Sequence, residues 1–183
     1  MDTMKNKHWV LMAGMALMMG WVGTGCGKSA DAGGAKANDP QVEANILGVI
    51  ETLFQGMEQK DSLMLSRAMV PTASVHRVQL DSAGEQKIIY LSGRTFFQTA
   101  MNTGFTQQEE MWDPVVTVNG DLATVTAPFS YRLNGVFGHC GVNHFGLMQS
   151  TEGWRIHSVQ FSITSRDSTE CASQFPRSTA AQP

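Results

Sequence analysis

At 183 residues and 42% hydrophobic, the chain can bury one sizeable core and is short for two domains. Its net charge of −3, with 13 Lys and Arg against 16 Asp and Glu, excludes the basic stripe that a nucleic-acid partner requires. No G-x-G-x-x-G, G-x-x-x-x-G-K-[ST] or G-x-S-x-G pattern occurs, so neither a phosphate-cradling loop nor a serine elbow is expected, and no cofactor is called for.

Lys5, Lys7 and His8 precede an apolar run from Trp9 to Val22, too short for the ~20 residues that span a bilayer. This is the pattern of a secretory signal. The following Gly23-Thr24-Gly25-Cys26-Gly27 resembles a bacterial lipoprotein cleavage site, with Gly23 where Leu is usual. The resemblance implies that residues 1–25 are removed and that Cys26 carries the lipid. Gly27 in place of Asp would then sort the protein to an outer membrane, facing the periplasm. The alternatives are an ordinary signal peptide cut nearby, or an uncleaved anchor. Residues 26–38 are small and polar without an apolar period; they read as a flexible tether of ~20 Å.

A domain is expected over 39–166. Asp39-Pro40 sets an N-cap before a proline at the first helical position. Val42, Ile46, Ile50, Leu53, Phe54 and Met57 then recur at helical spacing, which predicts a first helix ending at Gln59-Lys60. Asp61 caps a shorter second helix through Ala68, stopped by Pro71. Residues 74–80 and 86–91 alternate as two strands about a turn at 81–84. Ser92 caps a third helix over 94–101, with Gly104 past its end.

The back half predicts a four-strand antiparallel meander over 106–118, 121–133, 136–149 and 154–165. Asn119-Gly120 and Asn134-Gly135 supply the φ > 0 pairs of tight hairpin turns, and Thr151-Glu152-Gly153 makes the third. Three helices followed by a long antiparallel sheet argue an α+β domain with the sheet curling over the helices. Residues 167–183 form a C-terminal tail.

This order is similar to that of the nuclear transport factor 2-like superfamily, a cone-shaped, cystatin-like α+β barrel. Met111-Trp-Asp-Pro114, Gly120-Asp-Leu-Ala-Thr-Val125, Ala127-Pro128, Asn134-Gly135, His139-Cys-Gly-Val142 and Gly153-Trp-Arg-Ile156 resemble secreted bacterial members of unknown function. The resemblance covers about Val42 to Ile163. It departs at Asn143, where relatives tend to have Asp, and at His144, where they have a small residue. The superfamily also holds ketosteroid isomerase, limonene epoxide hydrolase and polyketide cyclase relatives, so it implies a fold and no single activity.

Two-residue turns fix which side chains share a face. One face is expected to carry Trp112, Val116, Val125, Phe129, Tyr131, Val142 and His144 and to meet the helices. The other would carry Asp113, Thr117, Arg132, His139 and Asn143, with Phe137, Phe145 and Leu147 as a possible homodimer surface. A single bulge would exchange the faces beyond it. On this register Trp112, Phe129, Tyr131 and His144 line a pocket, and Glu110, opposite Phe129 with Tyr131 nearby, is the carboxylate placed for acid–base work.

Once Cys26 is set aside, Cys140 and Cys171 are the remaining cysteines of a chain expected to leave the cytosol; they form a disulfide or stay as two buried thiols. No metal site is expected: His139 and Cys140 point to opposite faces, and Cys140 and His144 are ~13 Å apart on a strand. The leading expectation is a lipid-anchored envelope domain that binds a small apolar molecule or a protein without chemistry. The alternatives are a hydrolase or isomerase with Glu110 as base, and an envelope scaffold pairing through its sheet.

Overall fold

The computed structural model describes residues 39–178. The expected signal segment, the lipidated Cys26 and the tether therefore lie outside the described residues. Helix α1 (Pro40–Gln59) is capped by Asp39, whose side chain accepts from the Gln41 amide, and it stops where Lys60 turns left-handed. Helix α2 (Ser62–Ala68) is capped by Asp61. Strands β1 (Met69–Leu80) and β2 (Gln86–Ser92) precede α3 (Gly93–Asn102), which Ser92 caps. The starts of all three helices are those the cap residues predict.

Then follow β3 (Gln107–Met111), β4 (Val115–Asn119), β5 (Leu122–Leu133), β6 (Val136–Ser150) and β7 (Gly153–Ile163). The sheet runs β2-β1-β7-β6-β5-β3, with β4 also on β5. It corrects the antiparallel expectation in one place: β1 lies parallel to β7, so the curved sheet is mixed. The helices cover one face. Ile46, Ile50, Leu53, Phe54 and Met57 of α1 meet Val75, Val125, Phe145, Leu147 and Ile156 from the sheet in the core. Within the expected tail, Asp167 caps a further helix, α4 (Ser168–Gln174).

Three local features reset the expected register. Asn119 pairs with Leu122, so the central residues of that turn are Gly120 and Asp121 rather than Asn119 and Gly120. Gly120 has φ 60 while Asp121 keeps a negative φ, as a type II′ turn requires. This slides the pairing by two residues, and every side chain of that hairpin keeps its face. At Asn134-Gly135 both φ angles are positive, 49 and 78, and the expected type I′ turn forms.

The other two features each add one residue. The expected first strand breaks at Trp112-Asp113-Pro114, where Asp113 takes φ 47, so β3 meets β5 with Glu109 opposite Tyr131 and Glu110 opposite Ser130. On β6, Gly138 is an extra residue: Arg132 pairs with Phe137, whereas Tyr131 pairs with His139. Beyond that bulge the faces are exchanged, bringing His139, Asn143, Phe145 and Leu147 onto the helix side. Phe145 and Leu147 are each 1% exposed, so two of the three residues of the expected homodimer surface are core, while Phe137 is half-buried beside Arg132.

Cys140 and Cys171 are disulfide-bonded with Cα atoms 6.0 Å apart, tying α4 to β6. The same stretch packs tightly elsewhere: a Cβ added at Gly141 would run into the Ser162 carbonyl of β7.

Candidate functional site: a cone cavity with a buried carboxyl

A cavity of about 200 Å³ opens between the helices and the inner face of the sheet. Leu53, Phe54 and Met57 of α1, Ala100 of α3, and Phe129 and Phe145 of the sheet make most of it apolar. Its polar side chains come mostly from the sheet, Gln107 and Glu109 on β3, Tyr131 on β5, His139 and Asn143 on β6, and Arg77 on β1, with Thr99 on α3.

Asn143 Nδ2 donates to Glu109 Oε1 at 2.6 Å. No hydrogen bond to Glu109 Oε2 forms among the described residues, so that oxygen is left for an occupant of the cavity. Burial raises the Glu109 carboxyl to about 7, against the hydrogen bond from Asn143, which lowers it. Tyr131 donates through its hydroxyl to Gln107 Oε1 at 3.0 Å, and Gln107 Nε2 donates to the Ala100 carbonyl at 3.1 Å. Burial, with the nearby Glu109, pushes Tyr131 up to about 12. His139 lies against Tyr131 and edge-on to Phe129, with ring centroids 4.9 and 5.7 Å away. Burial and the charges of Arg166 and Arg77 push His139 down to about 4, leaving the ring neutral at pH 7.

Phe129 and Tyr131 line this cavity as expected from sequence; Trp112, His144 and Glu110 do not. The extra residue at Asp113 turns Glu110 outward. There it takes a bidentate pair from Arg177, both contacts 2.7 Å, which holds its carboxyl below the usual range. Trp112 lies under the tail, with the Arg177 guanidinium 4.6 Å from its ring centroid, and Ser178 donates its backbone amide to Asp113 at 2.8 Å. The Gly138 bulge puts His144 on the outer face, where its Nδ1 is 2.8 Å from Thr126 Oγ1. That pairing gives position 144 a structural role.

Glu109, Asn143, His139, Gln107, Thr99 and Arg77 are the polar residues that sequence reasoning left out of the pocket. Signals for the first three existed: Asp113-Pro114 in one strand and Gly138 in another are where extra residues enter. Among the described residues no group of three or more His, Cys, Asp or Glu side chains could hold a metal ion.

No family model and no curated protein matches the chain by sequence. Solved structures do match in shape. A protein from Kribbella flavida aligns with TM-score 0.57 at 14% identity, over 73% of this chain and 97% of its own. A cystatin-like fold protein of unknown function from Nostoc punctiforme gives 0.54 at 11%, over 68% and 92%. A nuclear transport factor 2-like superfamily protein from Salmonella enterica gives 0.53 at 18%, also over 68% and 92%. At these identities the likeness speaks for architecture alone: the domain has the nuclear transport factor 2-like, cystatin-like α+β fold.

Proposed function

We propose that the domain binds a small, mostly apolar molecule in the cone cavity, with one hydrogen-bonding group of that molecule meeting Glu109 and Asn143. The observation that carries this reading is the Glu109–Asn143 pair within a mostly apolar space, the usual constitution of a small-molecule site. The apolar walls supply burial and the pair supplies orientation. The second carboxyl oxygen, without a protein partner, can accept from the ligand, or donate to it while protonated. An envelope address through a lipid on Cys26 fits the same reading, and the Cys140–Cys171 bridge suits an oxidising compartment.

Native mass spectrometry of the protein purified from its own envelope tests it. A co-purifying small molecule is expected with the native chain and not with Thr99→Trp, an exposed helix position lining the cavity where a large ring would block access. A molecule retained by Thr99→Trp would count against the cavity. For the anchor, Cys26→Ser protein that still partitions with membranes would count against lipidation.

One observation favours a second reading, proton transfer by Glu109: a carboxyl at about 7 is matched to general acid–base work near neutral pH. A solved Streptomyces avermitilis structure of the same fold, TM-score 0.52 at 19% identity, is described as a candidate dehydratase, which is said of that protein only. If this chain acts in that way, deuterium should enter an acidic C–H of the bound molecule with wild type and not with Glu109→Gln.

A further inference from the structure

We propose that the molecule held in the cavity is an acid, a single ring or similarly small apolar body bearing one carboxylate, and that Arg77 receives the carboxylate at the cavity's rim. This rests on the binding reading above and adds the ligand's charge and class.

Arg77 alternates with Val75 along β1, and Val75 is a core residue, so both face inward. Arg77 is paired in register with Phe161 of β7, which is itself paired with Asn143 of β6. Its Nε is buried and has no hydrogen-bond partner among the described residues, and no carboxylate there forms a salt bridge with it. A buried donor on a permanent cation is costly to leave unmet, so a built partner is the expected complement. Glu109 is not that partner. Among the described residues its hydrogen-bond partner is Asn143, and no ion pair joins it to Arg77.

Charge points the same way. Arg77 lines the cavity as a cation in a chain whose net charge is −3. Such a local positive field draws in small anions. Among anions, a planar carboxylate matches the end of the guanidinium, since its two terminal Nη groups, unlike the buried Nε, can present parallel N–H groups to an incoming anion. The acid group must also sit at the Arg77 side, because beside Glu109 it would meet a second carboxyl.

Size limits the rest. A cavity of about 150 Å³ takes benzene, and sites for drug-sized ligands hold ~300–1,000 Å³, so the 200 Å³ here fits one ring with a short chain.

The test is calorimetric titration of the full-length protein with 3-phenylpropanoate, 3-phenylpropanol and 3-phenylpropylammonium, which share one body. The carboxylate is expected to bind about tenfold or more tighter than the alcohol, the ammonium most weakly, and the carboxylate's affinity should fall with added salt. Arg77→Met, which keeps the stem, should bring acid and alcohol within about twofold of each other, and Thr99→Trp should abolish binding of all three. Equal affinity of acid and alcohol for wild type, no salt dependence, or a preference surviving in Arg77→Met overturns the acid assignment while the cavity reading stands. Binding of none of the three, or binding untouched by Thr99→Trp, overturns both. The salt dependence and the acid–alcohol comparison need wild-type protein alone, so they decide the matter even if Arg77→Met fails to fold.

Discussion

Asn143 and Glu109, thirty-four residues apart, meet at 2.6 Å on the inner face of the sheet because each lies beyond an inserted residue, Gly138 for one and the Asp113 kink for the other. At position 143 an amide gives the buried carboxyl a donor. Asp there, the residue the resemblance would have led one to expect, would instead give it a like charge and push its proton affinity higher still.

The Glu109 carboxyl makes stability fall as pH rises. Its folded pKa, about 7, lies above the ordinary 4.5, so between those values the folded state holds a proton that the unfolded state has lost. The stabilisation is complete below pH 4.5 and gone above 7, a change of roughly 3 kcal/mol. Urea unfolding at pH 5 and pH 8 should show wild type losing that much relative to Glu109→Gln. Parallel behaviour of the two proteins would refute it.

His139 acts with the opposite sign. Its pKa is depressed to about 4 from 6.5, so the unfolded state takes up a proton first as pH falls, and the stabilisation present above 6.5 is lost toward pH 4. His139→Phe, which keeps the aromatic contacts with Tyr131 and Phe129, should therefore lose less stability than wild type between pH 6.5 and 4. Equal acid sensitivity in the two would show the ring to be solvated.

Glu110 and Glu109 are neighbours in sequence with different consequences. Glu110 and Arg177 are each more than half exposed, so Glu110→Gln should shift stability by less than about 1 kcal/mol and leave ligand binding within twofold. Its effect should appear instead as a change in Trp112 emission, since Arg177 lies over that ring. A binding defect in Glu110→Gln as large as that in Glu109→Gln would restore the assignment made from the unbroken strand.

Replacing Cys140 and Cys171 with Ser removes a cross-link spanning 31 residues. The chain-entropy relation puts the cost at roughly 3 to 4 kcal/mol, and amide exchange should quicken first in α4. Two alkylatable thiols in the native, unreduced protein would contradict the bridge.

How much of this was legible follows from where the chain departs from simple alternation. Asp39, Asp61 and Ser92 announce their helices because a cap's chemistry is local, and Asn134-Gly135 announces its hairpin for the same reason. The parallel pairing of β1 with β7 left no such mark, since it joins segments some 80 residues apart through tertiary packing. The site suffered most. A period-two reading carries parity along a strand, so a single inserted residue moves every later side chain to the opposite face. Asp113 and Gly138 each did this once, which replaced Glu110 with Glu109, and His144 with Asn143 and His139. Phe129 and Tyr131 kept their places because β5 itself carries no insertion.

Carboxyl-¹³C magnetic resonance of glutamate-labelled protein, titrated with pH and assigned through Glu109→Gln, tests the buried-carboxyl cavity most directly. One glutamate should titrate near 7, and its resonance should move when 3-phenylpropanoate is added to native protein and stay still in Thr99→Trp. If every glutamate titrates in the ordinary range near 4.5, and none responds to the ligand, Glu109 is in water and the cavity does not bind as described.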